Sequence, residues 1–267
     1  MFWQTYVPEP VFFSVAGWPV YWYGLIMLVA IVAAYFVSRY FVRRAGIEIK
    51  QWDNLIFYTL IGGFIGARLY DVLLELSYYQ QNPGDIFKVW QGGLAIHGGI
   101  IGGAIAVYII CRKYNWSFWR VADWLAVALP LGQAIGRWGN YFNQELYGRP
   151  TDSAFGIFIE AENRVSAYEG SALFHPTFLY ESVLNLLLFV GLFWAQSKAN
   201  FKTGMTIGLY LTGYGFIRFF LEMVKIDQTP IYFGLRWPQW FSILIVAVGV
   251  GITIYKRRDL PNPKKSV

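Results

Sequence analysis

The sequence predicts an all-α polytopic membrane protein, with about seven transmembrane helices and a small extracytoplasmic head between the fourth and fifth. Three observations lead there. Apolar and aromatic residues make up 56% of the 267 positions and charged residues only 14%, against about a quarter charged in soluble domains. Several apolar runs reach the ~18–20 residues needed to cross a hydrocarbon core of ~30 Å. The basic residues, finally, alternate between rich and poor connections. The formal net charge of +6 is therefore read as a topology signal and not as a nucleic-acid footprint.

In order, the runs are Tyr21 to Phe41, Asn54 to Glu75, Leu94 to Arg112, Val121 to Asn140, Phe178 to Gln196, Met205 to Val224 and Pro238 to Tyr255. Backbone groups in lipid must satisfy one another, so such runs are helices. No Lys or Arg precedes the first run, which is expected as a retained span and not a cleavable leader. One alternating set of connections carries thirteen Lys and Arg, among them Arg43, Arg44, Arg112, Lys113, Lys256 and Arg257; the other carries five, Lys88, Arg149, Arg164, Lys225 and Arg236. The positive-inside rule makes the richer set cytoplasmic, with the N-terminus outside and the C-terminus inside. Residues 1–258 are expected as one transmembrane domain and 259–267 as a cytoplasmic tail. The polar connection from Tyr141 to Thr177 is too long for a plain turn, and its Gly156–Ile159 run marks an ordered head.

Charges inside the spans are the next signal. An arginine at a span centre costs ~2.5–3.5 kcal/mol on insertion scales, so Arg68, Arg137 and Arg218 need partners. Arg68 has Asp71 at i+3 and Arg218 has Glu222 at i+4, whereas Arg137 has no acid within four positions and requires a ligand or a distant partner. At ~1.5 Å per residue, these arginines fall in the outer half of the bilayer, as do Tyr23, His97, His175, Tyr180 and Glu181. Asp123, near the cytoplasmic end of its run, stands apart. Such convergence implies a polar cavity opening outward, whose arginines can grip a phosphate through paired, planar hydrogen bonds. His97 can act as a base toward a thiol or pack as an ordinary buried histidine. His175, before Pro176, reads equally as a cap. Gly62, Gly66, Gly98, Gly99, Gly102 and Gly103 fit close helix packing. The single cysteine, Cys111, permits no intrachain disulfide and no cysteine metal cluster.

The run Gly136-Arg137-Trp138-Gly139-Asn140-Tyr141-Phe142-Asn143-Gln144-Glu145-Leu146-Tyr147-Gly148 resembles the signature G-R-x-G-N-F-x-N-x-E-x-x-G of the bacterial prolipoprotein diacylglyceryl transferase family. Further matches follow in the family's order: Trp22-Tyr23-Gly24-Leu25, Gly66-Ala67-Arg68-Leu69 and His97-Gly98-Gly99. His175-Pro176-Thr177-Phe178-Leu179-Tyr180-Glu181 resembles H-P-x-Q-L-Y-E with Phe178 in place of Gln, and the segment from Arg218 to Lys225 resembles R-F-x-x-E-x-x-R with Lys225 in place of the last Arg. The resemblance implies transfer of the diacylglyceryl group of phosphatidylglycerol to a prolipoprotein lipobox cysteine in the bacterial plasma membrane, without metal or cofactor. It implies Tyr23, Arg68, Arg137, Asn140, Asn143, Glu145, Arg218 and Glu222 as the phosphatidylglycerol site. His97, Arg137 and Arg218 are then catalytic, and His175, Tyr180 and Glu181 auxiliary. The base stays open: His97 takes the thiol proton, or the local positive field ionises the thiol and His97 positions the lipid.

Other classes fit less well. A carrier calls for internal repeats and polar groups at the midplane, which are missing here. Intramembrane proteolysis calls for a G-x-S-G nucleophile, facing aspartates or H-E-x-x-H, and Asp71 and Asp123 lie at opposite depths. Lipid binding without catalysis is the plainest rival.

Overall fold

In a computed structural model, residues 2–198 and 201–258 are described, so the tail expected at 259–267 lies outside the described residues. The chain opens with a one-turn helix, α1 (Phe2–Thr5), and a hairpin of β1 (Val11–Val15) and β2 (Trp18–Tyr21). Then follow α2 (Trp22–Arg44), α3 (Ile49–Leu74), the short α4 (Leu76–Gln81), α5 (Ile96–Tyr114) and α6 (Phe118–Phe142). A two-stranded ladder of β3 (Ile157–Phe158) and β4 (Leu173–Phe174) precedes α7 (Thr177–Lys198) and α8 (Met205–Leu221). A last hairpin, β5 (Ile231–Tyr232) and β6 (Leu235–Arg236), leads into α9 (Trp237–Arg258).

Each of the apolar runs is a helix, with ends displaced by a few residues. Five of these helices, α2, α3, α5, α7 and α9, are long and apolar enough to cross a membrane. The 17-residue α8 is apolar but shorter, and the 25-residue α6 carries Arg120, Asp123 and Arg137. The described residues are mostly helical and not purely so, because three two-stranded antiparallel ladders interrupt the helices. A reading based on apolar runs passes over them, since their strands are only two to five residues long.

The described residues form two compact units. One is drawn from the described parts of Met1–Ser38 and Asp123–Val267, the other is Arg39–Ala122. Within the smaller unit, α3 and α5 meet backbone to backbone. A Cβ added at Gly62 would sit 2.8 Å from Ala106 Cβ, and one at Gly66 would sit 2.9 Å from Gly102 Cα. Two small-xxx-small stripes face each other, which lets dispersion act between helices that lipid does not drive together. Within the larger unit, α8 and α9 repeat the device: a Cβ at Gly249 would lie 2.7 Å from the Gly208 carbonyl oxygen.

Asp123 also finds its reason there. Its Oδ2 accepts from Gly204 N–H at 2.6 Å and its Oδ1 from Ile207 N–H at 2.9 Å. It thus satisfies two open donors at the start of α8 and places negative charge at that helix's positive end. The connection 143–176 encloses a buried cluster of Tyr147, Ile157, Ile159 and Phe174, closed by Tyr141 and Phe178 from the flanking helices. The Gly156–Ile159 run indeed supplies a strand, with Ile157 paired to Phe174.

Gly102→Val places a branched side chain against the backbone of Gly62 and Gly66. It is expected to destabilise the protein by about 1–3 kcal/mol, read as a lower unfolding midpoint in detergent. Gly84→Ala, where a Cβ meets nothing within 4 Å, is expected to leave the midpoint unchanged.

Candidate active site

The ends of α6, α7 and α8 bring Arg137, Glu181, Arg218 and Glu222 together, and the chain beyond α8 adds Lys225 and Arg236. Arg137, which lacks an acid nearby in sequence, has Glu181 of α7: Nη2 lies 2.7 Å from Oε1. Oε2 of the same carboxylate is 3.6 Å from Lys225 Nζ and 4.0 Å from Arg218 Nη1. Arg218 Nη2 also reaches Glu222 Oε2 at 3.0 Å, the i, i+4 pair visible in the sequence. Arg236 Nη1 lies 3.3 Å from Glu222 Oε1, and its Nη2 3.4 Å from Asp227.

These groups form one network of four cations and three carboxylates. Glu181 and Glu222 are all but fully buried, with side chains 1% and 0% exposed, while Arg137 and Arg218 keep 22% and 23%. A buried carboxylate without partners is prohibitively costly, so the two acids brace the two arginines, whose side chains stay partly exposed. Glu181 Oε1, both oxygens of Glu222 and Nη1 of Arg218 make no hydrogen bond; these contacts are ion pairs by distance, off the hydrogen-bonding directions. Tyr214 of α8 lies beside Arg137. Burial pushes the Lys225 ammonium down to about 8, against the pull of Glu181.

Beside this network the chain turns sharply after α6. Gln144 and Leu146 both hold positive φ, 51° and 55°, a conformation that costs an L-residue energy and needs support. The buried Gln144 provides it: Nε2 donates to Glu160 at 2.7 Å and Oε1 accepts from Glu160 N–H at 2.7 Å. The turn gathers Asn140, Asn143 and Glu145, whose Oε1 accepts from Asn140 Nδ2 at 2.8 Å and from Asn143 Nδ2 at 3.4 Å. Arg137 Nη1 reaches Asn140 Oδ1 at 3.4 Å. The ring of Tyr23, in α2, lies over Gly139, where a Cβ would come within 2.6 Å of it. His175 Nδ1 shares a hydrogen bond of 3.0 Å with the Tyr180 hydroxyl, and its backbone pairs with Gly148 and Arg149. Arg149 N–H continues to Val224 C=O at 3.0 Å, which fixes the strand-like segment bearing Lys225.

Arg68 and His97 belong to the other unit. Arg68 is buried, and four of the five N–H groups a guanidinium owns go to carbonyls of the α4–α5 connection. Nε donates to Ile86 at 2.9 Å, Nη1 to Gly92 and Gly93 at 2.8 Å each, and Nη2 to Asp85. Asp71 is 3.7 Å away and the Tyr79 ring 5.1 Å. Its donors thus hold a loop. His97 stands exposed in the first turn of α5, with its ring 6.0 Å from that of Tyr70.

The sequence reading gave Glu181 an auxiliary place, and it is the hub. The reading passed over Gln144, Tyr214 and Arg236. Lys225 stands where the motif has Arg, and its primary amine reaches Glu181. Phe178 packs against Tyr141 and Trp138, with ring centroids 4.8 and 5.3 Å apart, so an aromatic wall replaces a polar group. Among the described residues, no three His, Cys, Asp or Glu side chains are grouped as metal ligands.

A family model described as prolipoprotein diacylglyceryl transferase matches residues 10–255. The chain belongs to the prolipoprotein diacylglyceryl transferase family. It is 39% identical over 251 residues to the phosphatidylglycerol–prolipoprotein diacylglyceryl transferase of Staphylococcus aureus strain bovine RF122 / ET3-1, covering 93% of this chain and 89% of that one. The proteins of the same name from strains MRSA252 and JH9 are 38% identical over the same shares. The region matching the transferase family runs from just before β1 into α9, and so takes in both units and every residue of the charge network.

Because Lys225 deprotonates near pH 8, the network loses one positive charge as pH rises through that value. Apparent affinity for an anionic lipid is expected to fall several-fold between pH 7 and 9. In Lys225→Arg, whose guanidinium stays charged, the same titration of binding to phosphatidylglycerol micelles is expected to be flat.

Proposed function

We propose that this chain transfers the diacylglyceryl group of phosphatidylglycerol to the lipobox cysteine of prolipoproteins. The observation carrying the reading is the pair of partly exposed arginines, Arg137 and Arg218, backed by buried Glu181 and Glu222. The thiolate sulfur attacks the glyceryl carbon bonded to the phosphate. A C–S bond forms, the C–O bond breaks, and its electron pair leaves on the phosphate of glycerol phosphate. Charge builds on that departing oxygen, where Arg137 and Arg218 act; groups so placed are worth about 10²–10³ in rate. Asn140, Asn143 and Glu145 line the headgroup side, with Tyr23 packed beside them.

An apolar cavity of about 480 Å³ supports the lipid assignment. Its lining includes Trp138, Ala134 and Ser182, which neighbour Arg137 on α6 and Glu181 on α7. One acyl chain lies there while its phosphate meets the arginines.

In this reading seven helices, α2, α3 and α5–α9, cross the bacterial plasma membrane. The N-terminus and the 141–177 head are outside, and the C-terminus is cytoplasmic. The internal pairing of Arg137, Arg218 and Asp123 supports α6 and α8 as spans, since none of the three faces lipid as a bare charge. Arg68 orders the loop leading into α5, and His97 is the candidate acceptor of the thiol proton. His175 and Tyr180 brace the start of α7.

The test is mass spectrometry of a lipobox peptide incubated with purified protein and phosphatidylglycerol. Wild type is expected to add a diacylglyceryl mass, and Arg137→Ala to lose at least a hundredfold in rate while remaining folded. Undiminished transfer by His97→Gln would assign the thiol proton to another group. No mass gain from folded wild type would leave a lipid-binding protein in place of a transferase.

A further inference from the structure

Two hairpins share a design that the charge network does not explain. In each, a two-residue loop joins the strands with both residues at positive φ: Ala16 at 50° and Gly17 at 85°, Phe233 at 50° and Gly234 at 77°. Such type I′ turns favour Asn or Gly, and a bulky aromatic residue at positive φ is an outlier with a conformational cost. Phe233 takes that cost while 95% exposed, and Trp18, one residue past the other turn, is 80% exposed. Val15, Tyr21, Ile231 and Tyr232 are exposed as well. No charged residue lies between Pro10 and Tyr21 or between Pro230 and Leu235.

Both hairpins are fastened to a helix in the same way. Trp22 N–H, opening α2, donates to Pro10 C=O at 3.0 Å, and Trp237 N–H, opening α9, donates to Pro230 C=O at 2.9 Å. Both α2 and α9 are among the helices able to cross a membrane. The second hairpin folds back along its helix. Trp240 Nε1 donates to Tyr232 C=O at 2.9 Å, and the Phe233 ring lies 6.4 Å from that of Trp240. Trp240 is three residues into α9, roughly 4.5 Å along its axis, so the tip stands level with the beginning of the span.

We propose that these two hairpins are wedges that insert their aromatic tips among the lipids at the membrane boundary, the second seating the phosphate-binding network against the leaflet that supplies its substrate. This rests on the reading of α2 and α9 as membrane spans. An exposed, uncharged aromatic tip beside a span is stable at the interface, where Trp, Tyr and Phe settle between water and hydrocarbon; in water it is an uncompensated apolar patch. The link to the site is Arg236, at the base of the second hairpin. Beside its ion pairs with Glu222 and Asp227, it donates to Thr229 Oγ1 at 2.8 Å, Glu222 C=O at 2.9 Å and Lys225 C=O at 2.7 Å. A shift of this hairpin therefore moves the residues that hold Arg218.

The experiment places nitroxide labels on Phe233→Cys and Trp18→Cys in a Cys111→Ala background, in nanodiscs of phosphatidylglycerol and phosphatidylcholine. Collision with oxygen, which concentrates in lipid, is compared with collision with a water-soluble nickel chelate. Leu187→Cys, exposed on α7, and Glu169→Cys, exposed in the 143–176 connection, give the lipid and water references. Labels at 233 and 18 are expected to be several-fold less accessible to nickel than the label at 169, and to approach the oxygen accessibility of the label at 187. Labels at 233 and 18 that behave like the one at 169 overturn the wedge. So does protection appearing only when a lipobox peptide is added, which assigns the surface to the peptide. If the label at 187 itself reads as aqueous, the span reading fails and takes the wedge with it.

Discussion

The carboxylate of Glu181 is the constraint around which the larger unit is arranged. It is buried on α7 with Arg137 from α6 and Lys225 and Arg218 from α8 and its extension around it. Removing one member of such a set leaves an uncompensated buried charge, a loss of several kcal/mol. The network holds four cations against three carboxylates, and in the proposed function that excess meets the substrate phosphate. In the proposed function, stability and lipid binding draw on the same groups, and the acids that hold the arginines also offset the repulsion between them.

A second carboxylate sets the register at the far end of the same helices. Asp123 and Arg137 are separated on α6 by about 21 Å of rise, and Met205 and Arg218 on α8 by about 20 Å. Asp123 binds the beginning of α8 while Glu181 joins Arg137 to Arg218. The two helices are thus pinned by a carboxylate at either end. Glycine contacts fill in the rest, with Gly208 and Gly249 letting α9 lie against α8. Lipid offers no hydrophobic drive for such association, so close backbone approach and satisfied charge carry it.

Much of this was legible in the residues. The helices follow from apolar length, and Arg218 with Glu222 follows from i, i+4 spacing. The signature around Arg137 marked Asn140, Asn143 and Glu145, which the structure gathers on one turn. Arg68 with Asp71 was legible as a pair, but its four backbone acceptors lie in a loop whose path no periodicity reports. Gln144 was not legible at all. Its importance comes from two positive φ values and a buried bond to Glu160, neither of which leaves a mark on composition.

The sequence by itself determined the membrane class, the helical elements and the family, because lipid imposes apolar length and the signature is dense enough to be specific. Only the tertiary structure decided which acid answers which base. Coulomb attraction acts over ångströms and is blind to chain separation, so Glu181, forty-four residues beyond Arg137, becomes its partner only when α7 packs against α6. The same holds for Arg236, which reads as a loop cation until the β5–β6 hairpin turns it back onto Glu222.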